Sequence, residues 1–287
     1  MRIGFWGAIL LLAAPLAFML AFFAAPFVAI AFNSLQDPDG GLSMSNYVRL
    51  VTDPYYLKAM GTTLSIAGWV TLITLLLGYP LAYFMVFRVR KRWLKRILYI
   101  LVVTPLFTSN VVRAFSWIIL LGRNGFVNDL LIWLHLTDKP LPLLFNKVSI
   151  IIGLAYIMLP FMILSVAAIL QNLDHRLKDA ARDLGAGPWS TFFHVTLPLS
   201  LPGIVSGALM VFTLCVSAYV TPSILSGGRE VVMSMLVFQQ YATVLNFSFG
   251  ATLAVALLIT AFLLLAVYHS ARFAFAKARQ MRGNHAA

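Results

Sequence analysis

Apolar residues in this chain gather into six long runs, at about 8–32, 61–87, 97–121, 148–171, 200–225 and 249–272. Each reaches or exceeds the roughly 20 residues that a helix needs to cross the hydrocarbon core of a bilayer. The pattern predicts an all-α integral membrane protein with six transmembrane helices, the chain 1–287 forming one transmembrane domain. The first run also has features of a secretory signal, since Arg2 precedes it and Ala24-Ala25-Pro26 loosely resembles a cleavage region. It is about twice as long as a signal's apolar core, which favours a retained span. The outer connections run to about 23–28 residues, whereas the turn between the second and third runs has only about nine, so those two helices form a tight hairpin. One inner connection is long, residues 172–199 between the fourth and fifth runs.

Composition agrees: 61% of residues are hydrophobic and only 10% charged, with a mean hydropathy of +0.90. An average soluble domain is roughly 25% charged, so a soluble globular protein is excluded. The single cysteine, Cys215, leaves neither an intramolecular disulfide nor a cysteine metal cluster. The formal charge of +12 becomes informative once it is placed along the chain. One side of the six runs holds Arg2, the basic turn Arg88, Arg90, Lys91, Arg92, Lys95 and Arg96, then Arg176, Lys178 and Arg182, then Arg272, Lys277, Arg279 and Arg282. These fourteen cations face three acids, Asp174, Asp179 and Asp183, whereas the opposite side balances six of each sign. Lys and Arg concentrate in short cytoplasmic segments, so both termini and the 172–199 loop are expected in the cytoplasm. The excess charge is thereby explained by topology and anionic headgroups, not by nucleic acid.

The 172–199 loop is patterned. Leu173, Leu177, Ala180, Ala181 and Leu184 recur at helical spacing, Asp174 can cap the start, and Gly185 suits the left-handed residue that ends a helix. A second short helix fits Pro188 to Val195, with Trp189, Phe192 and Phe193 forming one aromatic face, before Leu197-Pro198 and Leu201-Pro202-Gly203 break the chain. Periodicity permits two readings: an amphipathic pair lying on the inner leaflet, or a docking element for a cytoplasmic protein.

The run Asp179-Ala180-Ala181, three residues, Gly185, nine residues, Val195-Thr196-Leu197-Pro198 resembles the cytoplasmic signature of ATP-binding-cassette importer permeases of the binding-protein-dependent type, Glu-Ala-Ala, x3, Gly, x9, Ile-x-Leu-Pro. Asp179 stands for Glu and Val195 for Ile. Gly78-Tyr79-Pro80-Leu81-Ala82, Thr104-Pro105 with Asn110 and Arg113, Leu159-Pro160-Phe161, and Tyr219-Val220-Thr221-Pro222 through Gly227-Gly228 are most similar to the first permease of spermidine/putrescine importers. The resemblance implies a bacterial inner-membrane permease that forms half of a pore with a second permease and receives solute from a periplasmic binding protein. It implies ATP and Mg on a separate cytoplasmic ATPase dimer and no cofactor in this chain. Carried over by position, Asp179, Ala180, Ala181, Leu184, Gly185 and Trp189 would form the element that couples to that ATPase.

Arg113 is the one charged residue in the interior of a run, which makes it a functional candidate by default, with snorkelling to the outer headgroups as the plain alternative. Asn110, Arg113, Tyr156, Tyr219 and Thr221 are the candidates for the translocation pathway. Pro80, Pro105, Pro160 and Pro222 free carbonyls that either line a polar path or simply mark kinks. The five histidines, His135, His175, His194, His269 and His285, lack metal-ligand spacing, no GxxxxGK[ST] loop occurs, and no catalytic constellation is visible, so the chain is not expected to be an enzyme. The rival class is a secondary transporter or channel working without ATP, which predicts intramembrane carboxylates or repeated broken helices; the sequence has no acidic residue in any run and no internal repeat.

Overall fold

The computed structural model describes residues 5–37, 41–263 and 266. Among these, every regular element is helical, with one isolated antiparallel bridge between Gln36 and Leu42. In chain order the helices are α1 (with the apolar span Leu11–Asn33), α2 (Ser45–Thr52), α3 (Pro54–Arg88), α4 (Arg92–Phe107), α5 (Asn110–Leu121), α6 (Phe126–Trp133), α7 (Lys147–Gln171), α8 (His175–Asp183), α9 (Pro188–Ser217), α10 (Val220–Leu225), α11 (Met233–Gln239) and α12 (Phe247–Leu263). Four of them, α1, α3, α7 and α9, are individually long and apolar enough to cross a bilayer. The α12 helix is shorter, and the remainder of its run to residue 272, like Arg2, His269, His285 and the basic C-terminal residues, lies outside the described residues except for residue 266.

Two expectations need correction. The third run, 97–121, is not one helix: α4 and the helical stretch Asn110–Trp133 meet at a bend of 99°. Pro105 lacks the N–H that would continue the ladder, and Thr108 and Ser109 then adopt extended backbone, with ψ of 144° and 138°. Conversely, the break expected at Pro198 and Pro202 does not occur. A widened π turn over Phe192–Thr196 joins Pro188–Thr191 to Leu197–Ser217 as one helical path. Pro198 falls in the first turn after that loosened ladder, where its missing N–H costs little.

The chain divides into two compact units. The unit of residues 1–58 and 236–287 is ordered around Phe249, which is fully buried. Tyr56 meets its ring edge-on at 5.0 Å, the Arg49 guanidinium lies 4.6 Å from the same ring, and Thr252 Oγ1 donates to the Ser34 carbonyl at 3.0 Å. The α1 span carries no buried residue and exposes Phe18, Phe22, Phe23 and Phe27, as suits a helix solvated by lipid.

The second unit, residues 59–235, is built on α7. Asn146 and Ser149 form a reciprocal capping box at its start, and Ile150, Leu154, Met162, Ile163, Val166 and Leu170 are buried along it. Lipid chains are as apolar as leucine, so packing and close approach must hold such helices together. Gly203 and Gly207 of α9 supply that approach, and Ser165 and Ser206 share a hydrogen bond of 2.9 Å across the same seam. A Cβ on Gly203 would stand 2.8 Å from Ile169 Cγ1 and 3.2 Å from the Ser165 carbonyl oxygen. Gly203→Val should therefore cost about 1–3 kcal/mol and lower the melting temperature in detergent, followed by intrinsic fluorescence. Gly61→Ala, at a helical position where a Cβ would meet nothing within 4 Å, should not lower it and, by helix propensity, should raise it slightly.

Candidate functional site

The 172–199 loop folds as its polar and apolar spacing dictates. Asp174 Oδ1 accepts the Arg176 N–H at 2.9 Å, capping α8, and Gly185 sits at φ +80°, the left-handed conformation that stops the helix. The Ala186 N–H returns to the Ala181 carbonyl at 2.9 Å, closing the last turn. Asp179 and Ala180 lie on the exposed surface of α8, with Ala181 half-buried. Leu184 is 88% exposed and Trp189 76%, large apolar groups just past α8 and in the first turn of α9. An exposed apolar cluster of this kind marks a surface that meets something else.

The three aromatic residues of the second helix do not share one face. The π turn rotates Phe192 inward, where it meets Tyr83 at 5.6 Å and Tyr79 at 5.9 Å, both edge-on, while Trp189 and Phe193 stack on each other and stay exposed. Sequence reasoning misses these inner partners, although Tyr79, Tyr83 and Phe87 recur every four residues at the end of α3. Lys178 of α8 places its ammonium 2.9 Å from the Phe87 ring centroid, and Tyr79 shares a hydrogen bond of 3.0 Å with Ser200 of α9. The end of α3 thus packs against both helices of the loop.

At the far end of α9 a cavity of about 240 Å³ is lined by Asn110, Ser217, Tyr219 and Thr221 among apolar side chains of α7 and α9. Three pathway candidates, Asn110, Tyr219 and Thr221, are thus brought together. Tyr156 is not with them: its ring packs edge-on against Trp117 at 5.7 Å, and it lines a separate, almost wholly apolar cavity of about 280 Å³ with Pro105 and Pro160. Arg113 does not snorkel. It is buried, 8% exposed, and donates from Nη2 to Asn110 Oδ1, while its Nε and Nη1 have no partner among the described residues. Buried guanidinium groups normally satisfy every N–H, so the two donors unmet among the described residues set Arg113 apart as a candidate. No group of three or more His, Cys, Asp or Glu side chains placed to hold a metal exists among the described residues.

Comparison with known proteins gives these features a family. The chain is 34% identical over 230 residues to the spermidine/putrescine transport system permease protein PotB of Haemophilus influenzae, covering 80% of this chain and 79% of that protein. It is 33% identical over 226 residues to PotB of Escherichia coli K12, covering 79% and 81% respectively. In fold it is similar to a bacterial alginate ABC transporter crystallised with an alginate pentasaccharide-bound periplasmic protein, with a TM-score of 0.69 over 93% of this chain and 95% of that chain at 18% identity. Residues 74–275, from the middle of α3 past the end of α12, match the binding-protein-dependent transport system inner membrane component family, and the chain belongs to that family.

Proposed function

We propose that this chain is a permease subunit of an ATP-binding-cassette importer, forming half of a translocation pore for a polyamine such as spermidine or putrescine, or a related small cationic or zwitterionic metabolite. Its likeness to the PotB permeases of spermidine/putrescine transport systems supports that substrate class. In this reading the whole chain acts as one permease domain of six spans, with α4 and Asn110–Trp133 making one bent span, α12 continuing as the last, and both termini in the cytoplasm. The pore is completed by a second, homologous permease. Solute arrives from a periplasmic binding protein, a reading supported by the periplasmic protein crystallised with the alginate transporter. ATP and Mg reside on a cytoplasmic ATPase dimer.

The observation that carries the proposal is the exposed end of α8. A short helix with small residues at Ala180 and Ala181, stopped by Gly185 and followed by exposed Leu184 and Trp189, has the shape of an element seated in another protein's groove. Mechanism follows as alternating access: ATP binding closes the ATPase pair, α8 moves with it, and the membrane helices re-expose the pathway to the inside. No acidic side chain occurs in any apolar run, so this subunit offers a cation no counter-ion within the bilayer. Selectivity for a cation then rests on the binding protein and the second permease. The test is to tag the chain, extract native membranes in mild detergent and identify what co-purifies by mass spectrometry. A nucleotide-binding subunit and a second permease are expected. Recovery of the chain alone, with transport activity and no ATPase, would replace the proposal with an ATP-independent transporter.

A further inference from the structure

The basic turn after α3 faces the coupling loop across a cavity of about 870 Å³, more polar than either cavity described above. Arg88, Arg90 and Lys178 line it against a single acid, Asp179, so the wall carries a net positive charge. Thr196 also lines it: the residue is 1% exposed, and its Oγ1 is buried without a hydrogen-bond partner among the described residues. A helical threonine usually returns its hydroxyl to the preceding turn, as Thr191 does to the Gly187 carbonyl at 3.1 Å. Thr196 leaves a donor unused, on a cationic wall. Beside Thr191, the rest of the lining is apolar and aromatic, with Tyr83, Val86, Phe87, Pro188 and Phe192.

We propose that this cavity binds a phosphate group, and that the phosphate is the headgroup of an anionic phospholipid. Arginine forks match phosphate oxygens in paired hydrogen bonds, and the Thr196 hydroxyl supplies a further donor. The volume exceeds what a phosphate ion requires, and the apolar shoulder suits the glycerol and first methylenes of a lipid. The cavity lies at the end of α3, a helix long and apolar enough to cross a bilayer, and basic pockets between the ends of such helices suit anionic headgroups. A lipid held there ties the end of α3, through Arg88 and Arg90, to α8, through Lys178. Membrane composition would thereby tune how α8 moves with α3. The assignment of the leaflet as the inner one rests on the proposed orientation; the phosphate site itself does not.

The test uses the full chain, purified with whatever subunits accompany it, in nanodiscs of phosphatidylcholine alone or of equimolar phosphatidylcholine and phosphatidylglycerol. Native mass spectrometry after delipidation reads the lipid retained. The wild type should keep phosphatidylglycerol in preference to phosphatidylcholine, and the exposed-residue double variant Arg88→Gln/Arg90→Gln should keep about tenfold less. Thr196→Val should reduce retention about threefold. Arg92→Gln/Arg96→Gln, which removes the same charge outside the cavity, should leave it unchanged. A separate arm adds inorganic phosphate to the phosphatidylcholine discs. A phosphate adduct lost in the Arg88/Arg90 variant, with no lipid preference, keeps the phosphate site and makes its source soluble. Equal retention by wild type and the Arg88/Arg90 variant, or no preference for either anion, overturns the proposal. Absence of a co-purifying ATPase would count against the importer reading alone, because retention is measured on this chain.

Discussion

Gly185→Val should lower ATP-driven uptake by the reconstituted transporter to less than about a tenth of wild type, while the membrane helices keep their melting temperature. Gly185 holds φ +80°, where a residue with a Cβ pays roughly 1–2 kcal/mol and a β-branched one more. A Cβ there would meet nothing within 4 Å, so the substitution acts through the backbone and not through a clash. The strain is relieved by unwinding the end of α8 or redirecting the chain toward Pro188, and either change misplaces Leu184 and Trp189. Asparagine tolerates the left-handed region, so Gly185→Asn should keep most of the uptake although it adds more atoms than alanine. Uptake into proteoliposomes with internal ATP, read beside recovery of the ATPase on affinity resin, checks both variants. Equal uptake by the valine variant and wild type would remove α8 from the coupling path.

Arg113→Met should raise the melting temperature of the purified protein by a few degrees and lower uptake at least about tenfold. A buried charged group whose donors are unmet costs about 1–3 kcal/mol or more, and replacing it with an apolar side chain of similar length removes that cost. Among the described residues two of the guanidinium nitrogens are unpaired and the third is held only by Asn110 Oδ1, beside the cavity that Asn110, Tyr219 and Thr221 share. A buried cation with two donors unmet among the described residues is expected to act on what passes or on what docks. Thermal unfolding followed by tryptophan fluorescence, paired with uptake, separates the cases. A fall in melting temperature would show that Arg113 is a structural partner, and unchanged uptake would take it out of the pathway.

How much of this was legible in the sequence depended on the range of the interaction. The limits of α7, the Asp174 cap and the left-handed Gly185 are local consequences of side-chain and backbone preference, and they stand where the spacing puts them. The third run misled because hydropathy counts Thr104 to Asn110 as interruptible apolar sequence; Pro105 signals a kink, but nothing local distinguishes a kink from a turn of 99°. The fifth run misled in the opposite sense. Pro198 and Pro202 read as breaks, yet a single π turn absorbs the first, and such a turn leaves no compositional trace. The inward rotation of Phe192 follows from that turn, so its contact with Tyr79 and Tyr83 was equally hidden. Of the pathway residues, Asn110, Tyr219 and Thr221 meet because α5, α9 and α10 converge. Tyr156 lies on α7 and lines a different cavity, a distinction made by tertiary packing alone.

The unbroken course of α9 has a mechanical meaning. Its 30 residues at 1.5 Å each make a rod of about 45 Å, with Trp189 near one tip and Ser217, on the wall of the Asn110 cavity, at the other. Glycine-mediated packing against α7 provides a fulcrum near Gly203 and Gly207, about midway along it. A tilt of a few degrees imposed at the Trp189 tip would displace the opposite tip by about 1–2 Å, with no signal relayed from residue to residue. In the proposed importer the stroke of the ATPase would then reach the pathway as leverage, and its size would depend on where the pivot sits.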